Sequence, residues 1–146
     1  MKRRTVKTIS ILLIIALGFS GTTWARVTGE VNRMMVRSYD LLVEGKLDQA
    51  QRIYEKVLQR DPGNPLALNN LGAIMVKQKK YREALTYLEQ ALVRAKDYRV
   101  RVNQVCEVDG ACLAFRPITA AYGDQDLTPL IKLNIELVKT RLAGPR

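Results

Sequence analysis

The chain has 146 residues, with 24 Lys or Arg against 14 Asp or Glu, and a formal net charge of +10. That length supports one domain with a modest core, and 47% apolar with 26% charged residues are globular values that exclude wholesale disorder. The chain contains no His, which removes Ser-His-Asp and Cys-His nucleophiles, His-ligated zinc and haem attachment through C-x-x-C-H.

Met1-Lys2-Arg3-Arg4 and Lys7 open the chain with positive charge. Ile9 to Phe19 is apolar apart from Ser10 and Gly18, and Ser20 to Ala25 is small and polar apart from Trp24. This order is the layout of a secretory signal peptide. Thr23 and Ala25 supply the small positions around Trp24, so residues 1–25 are expected to be removed, leaving a mature chain that begins at Arg26. The alternative is an uncleaved membrane anchor, but an apolar run of about 11 residues is short of the roughly 20 that a spanning helix needs. The expectation is an exported protein, periplasmic or secreted, touching a membrane only if this segment is retained. Four of the 24 basic residues lie in residues 1–25, leaving 20 against 14 acidic ones, a net charge of +6. No basic strand interleaved with aromatics follows, so nucleic acid is not an expected partner.

The middle of the chain repeats itself. A shift of 34 residues lays Gly45-Lys46-Leu47-Asp48-Gln49-Ala50 on Lys79-Lys80-Tyr81-Arg82-Glu83-Ala84, and Tyr54, Val57 and Met34 on Leu88, Ala91 and Leu68. Leu66 to Val76 carries a wide apolar stripe, and Tyr81, Ala84, Leu85, Leu88, Ala91, Leu92 and Ala95 recur at helical spacing. Asp61-Pro62-Gly63-Asn64-Pro65 ends one unit, with Asn64 placed to cap the helix that follows.

These residues resemble the tetratricopeptide repeat, a helix-turn-helix unit of the same period. Residues 65–98 match through Leu68, Asn70-Leu71-Gly72, Tyr81-Arg82-Glu83-Ala84-Leu85, Tyr87 and Ala91. Residues 31–64 match through Gly45, Leu47, Ala50, Tyr54 and Pro62, but have Arg37-Ser38 where Leu-Gly is usual. The resemblance implies a mainly α protein, an α-solenoid of two units (31–64 and 65–98) within residues 26–98. It also implies protein binding rather than catalysis, in a concave groove lined by the first helix of each unit. On that basis the partner-facing residues are Met35, Tyr39, Leu42, Asn69, Ala73, Val76 and Lys77. A carboxylate clamp of the kind some relatives carry is absent, because Met35 and Tyr39 occupy its positions. The groove is expected to be apolar, suited to an amphipathic helix of another protein, with Asn69 and Lys77 as polar handles.

The period fails in residues 99–146. Arg99 to Val102 alternates, Val105-Cys106-Glu107-Val108 is rich in β-branched residues, and Asp109-Gly110 signals a turn from which Cys112 to Phe115 returns. With a three-residue loop at Val108-Asp109-Gly110, Cys106 faces Cys112 at disulfide separation, which suits an exported chain. Free thiols, a thiol-redox role and a helical continuation through 99–107 are the other readings. Thr128-Pro129 opens a final helix, capped by Thr128, with Leu130, Ile131, Leu137, Val138 and Leu142 on one face, widened by Leu133 and Ile135. It is expected to cap the short array, or to drive a homodimer if it does not dock there.

The acidic residues Glu55, Glu83 and Glu89 are scattered, and neither a Gly-rich loop nor metal-ligand spacing accompanies them. No enzyme activity, metal or cofactor is expected. The functional expectation is an exported adaptor that binds another envelope protein or peptide, accessory to pilus, secretion or envelope-complex assembly. A self-assembling structural subunit is the rival.

Overall fold

A computed structural model describes residues 20–96, 98, 102–105, 113–117 and 126–144, with side chains from residue 29 onward except those of 102–105. Four helices run in sequence: α1 (Ser20–Val43), α2 (Leu47–Arg60), α3 (Pro65–Lys77) and α4 (Tyr81–Ala95). Strands β1 (Val102–Val105) and β2 (Ala114–Pro117) form an antiparallel pair, and α5 (Thr128–Ala143) closes the order. No helix among the described residues is long and apolar enough to cross a membrane.

The helices pack as two consecutive helix-turn-helix units, α1 with α2 and α3 with α4. The residues that join their helices superpose along the 34-residue period. Gly45 donates its N–H to Leu42 O and Lys46 to Leu41 O; one unit later Lys79 donates to Val76 O and Lys80 to Met75 O. Both turns are Schellman closures, which demand a left-handed residue just past the helix. Gly45 meets that demand at φ 76°, and Lys79 meets it at φ 59° with a side chain attached.

The α2–α3 junction follows its residues closely. Pro65 stands at the first position of α3, where its missing N–H is harmless, and Asn64 Oδ1 accepts from Ala67 N at 3.0 Å. Asn64 Nδ2 also donates to Asp61 Oδ2 and to the Tyr98 hydroxyl, both at 2.8 Å. Gly72 lets α4 approach α3 closely: a Cβ there would lie 3.0 Å from Leu88 Cγ and 3.3 Å from Ala84 O. Ser38, the residue one period earlier, is equally buried and donates to Met35 O at 3.0 Å. The Arg37-Ser38 departure therefore leaves the first helix intact, because a small side chain still serves at the contact.

Every residue of α3 from Pro65 to Val76 is buried. A helix apolar all round must be covered all round, and α1, α2, α4 and β2 share that task. Strand β2 lies across α1 and α3, while α5 packs chiefly on α4 and buries Ile131, Asn134, Ile135 and Val138. Leu133 and Leu142, expected on that face, are exposed at 52% and 44%. The cap also differs from expectation. Asp126 Oδ1 accepts from Thr128 N at 2.8 Å, while the Thr128 hydroxyl itself has no partner.

The hairpin pairs Val102 with Pro117, Asn103 with Arg116, Gln104 with Phe115 and Val105 with Ala114. Val102–Val105 is thus strand rather than a continuation of helix. The register is one residue away from that of a hairpin with Cys106 facing Cys112, which would set Val105 opposite Leu113. Both cysteines, and with them the expected disulfide, lie outside the described residues, as do residues 1–19 of the expected signal peptide. The expected cleavage junction, Ala25 to Arg26, falls within α1.

Candidate functional site

The concave side of the two units, where a partner was expected, is filled by the chain's own strand. Met35, Tyr39, Leu42, Asn69, Ala73 and Val76 are all buried, none more than 4% exposed, and only Lys77 is partly accessible. An open apolar groove at these seven positions is therefore corrected: six of them belong to the core. The physical reason is area. Two units alone would leave one side of α3 and α1 in water, and Leu113, Ala114, Phe115 and Pro117 cover it, all buried.

The strand is held by asparagines that read its backbone. Asn70 Nδ2 donates to Phe115 O at 2.7 Å, and Phe115 N donates back to Asn70 Oδ1 at 2.8 Å. Two residues along, Asn69 Nδ2 donates to Leu113 O at 2.7 Å. Asn134 reaches in from α5, donating to Asn69 Oδ1 at 2.8 Å and to Leu113 O at 3.2 Å. Asn134 Oδ1 is buried without a partner. Adjacent residues on a helix point about 100° apart, and here Asn69 and Asn70 meet alternate residues of one extended strand.

A second layer lies beneath. Asn70 Nδ2 also donates to the Tyr54 hydroxyl at 2.9 Å, and burial holds that phenol well above the ordinary tyrosine range, opposed by its hydrogen bonds with Ser38 and Asn70. At the rim, Arg116 Nε approaches Asp40 Oδ1 at 3.3 Å, and its guanidinium lies 5.9 Å from the Tyr39 ring centroid. Both contacts pin the strand to α1.

The amides of this face bind, orient and exclude water. They offer no nucleophile, and among the described residues no group of His, Cys, Asp or Glu is arranged to hold a metal ion. Sequence reasoning singled out Asn69 but missed Asn70 as a strand-binding residue, and missed Leu113, Phe115 and Asn134. Asn134 left a signal: it falls between Ile131 and Val138 on an otherwise apolar stripe, where a lone amide needs a buried partner. Outside this face, two shallow hollows lie among the described residues. One hollow is lined by Leu58, Pro62, Leu68 and Val93, another by the turns Gly45–Leu47 and Gln78.

Comparison with known families matches residues 41–105 to the tetratricopeptide repeat. The match begins near the end of α1, beyond most of the helix in which the first unit departs from the pattern, and runs through α2, α3, α4 and β1. Characterised proteins and solved structures give no match to the chain.

Proposed function

Because residues 41–105 match the tetratricopeptide repeat, we propose that the protein is an exported interaction scaffold, an adaptor that joins another protein of the cell envelope and carries out no chemistry itself. Repeats of this family are protein-interaction modules, and the N-terminal order of charge, apolar run and small residues supports export. The observation that carries the reading is the filled concave face. With Leu113–Pro117 seated there through Asn69 and Asn70, the partner meets the outer helices and turns, not the groove. The placement of α5 over α4 disfavours the self-assembling subunit, since stacking needs an open helix face at the end of the array.

The test has two parts. Intact-mass analysis of the exported fraction is expected to find a chain beginning at Arg26; a chain retaining Met1 and confined to membranes would support the anchored form instead. Cross-linking in intact cells is expected to yield a discrete complex with a second envelope protein. Ladders of this chain alone would reverse the choice in favour of self-assembly.

A further inference from the structure

The turns Glu44–Lys46 and Gln78–Lys80 lie side by side, sharing a shallow hollow of about 340 Å³ lined by Gly45, Lys46, Leu47, Asp48, Gln49, Arg52 and Gln78. Residues 44–52 and 77–83 bring six cations to this edge against three carboxylates. Of those carboxylates, Glu44 is held by Lys46 at 2.7 Å, and Asp48 and Glu83 stand in the first turns of α2 and α4. Among the described residues no ion pair engages Arg52, Lys77, Lys79, Lys80 or Arg82, and all but Lys77 are exposed. The edge therefore presents positive charge that the molecule does not neutralise.

Lys79 adds a second observation. At φ 59° it holds the left-handed position that the preceding unit gives to Gly45. A lysine is strained there, whereas glycine is not, so stability alone would favour glycine at this turn. Strain retained on an exposed cation points to a use for that cation. We propose that the α1–α2 and α3–α4 turns form a docking edge for an acidic, Asp- and Glu-rich segment of the partner protein, with Lys79 and Lys80 as its principal contacts. This names the partner's chemistry within the scaffold reading and rests on that reading.

An acidic protein segment fits better than an anionic bilayer. Membrane-surface binding joins basic residues to exposed large apolar ones, and among the described residues beside this edge only Val43 qualifies, at 40% exposure. The edge also lies at the C-terminal end of α1, roughly 35 Å at 1.5 Å per residue from Ser20. A chain that kept its N-terminal apolar run would meet the bilayer through the opposite end.

Titration of the full chain with a fluorescent poly-glutamate peptide tests the proposal, with vesicles of phosphatidylglycerol and phosphatidylethanolamine in parallel. The double variant Lys79→Gln/Lys80→Gln is expected to lower affinity for the peptide about five- to tenfold. Lys96→Gln/Lys132→Gln, which removes the same charge from α4's end and α5, is expected to stay within twofold. Lys79→Gly is expected to raise the melting midpoint while weakening the peptide two- to threefold, a split that a purely structural lysine would not give. Equal losses in the two double variants would reduce the effect to net charge and overturn the edge, as would vesicle binding without peptide binding. Cross-linking to the envelope partner keeps the two readings apart. A complex that forms equally with Lys79→Gln/Lys80→Gln sinks the edge and leaves the scaffold, whereas no complex with any form of the chain sinks the scaffold.

Discussion

Asn70 commits its amide to four groups: the Phe115 N–H, the Phe115 carbonyl, the Tyr54 hydroxyl and, at 3.2 Å, the Asn69 amide. Truncation takes this partner from the Phe115 N–H, the Phe115 carbonyl and the Tyr54 hydroxyl in a buried site. Asn70→Ala is therefore expected to destabilise by about 3–5 kcal/mol, since an unpaired buried polar group costs roughly 1–3 kcal/mol. Asn69→Ala should lose less, because Asn134 still donates to Leu113 O. Urea denaturation of the two variants checks the order, which an equal loss would contradict. Tyr54 gives a signed pH dependence. Its folded pKa is raised, chiefly by burial, so the folded state keeps a proton that the unfolded state releases near pH 10. Stability from this group is complete below pH 10 and declines above it, by about 1.4 kcal/mol per pH unit until the raised value is passed. Tyr54→Phe is expected to flatten that slope in alkaline denaturation. In the sequence, Asn69-Asn70 looked like repeat consensus and a polar handle. Nothing local says what an amide faces, so residues 44 and 45 positions away could not be read from it.

The helices themselves were legible because each carries its own signals: the 34-residue shift, the Asn64-Pro65 start of α3, the spacing of Ala84, Leu88 and Ala91. The hairpin was legible as a pair of strands, while its register was not, since strands of only four residues fit two alignments that differ by one. Where the hairpin would lie was hidden for another reason. The apolar stripe of α3 showed that it must be covered, and an empty groove and a plugged one demand the same residues at Met35, Tyr39 and Val76. Those positions now separate the two arrangements. Val76→Glu and Tyr39→Glu would hardly disturb an open groove, but in the closed face both put a carboxylate into the core and are expected to abolish cooperative folding, as circular dichroism would report. The Phe115 amide should exchange with deuterium as slowly as the amides of α3, despite belonging to a four-residue strand. Fast exchange would mean that the strand leaves the groove readily. Gly72→Ala should cost about 1–3 kcal/mol by forcing α3 from α4 at Leu88 and Ala84.

At the scale of the molecule, the two units, the strand and α5 share one hydrophobic cluster, running from Val31 through Phe115 to Val138. One core implies one transition, so far-UV and tyrosine signals are expected to melt together. Sedimentation should give a mass that does not grow with concentration, because α5 already covers the outer face of α4; growth would show that the array has an open end. The plugged groove has a further consequence for the free peptides that the chain meets. A segment tied to its own binding site acts at an effective concentration on the order of millimolar. A free extended peptide with the same intrinsic affinity, present at about a micromolar, would displace β2 from roughly one molecule in a thousand. The chain thus sets an entry threshold on its own concave face, and stray unfolded segments of other chains, which share β2's backbone but not its tether, are turned away.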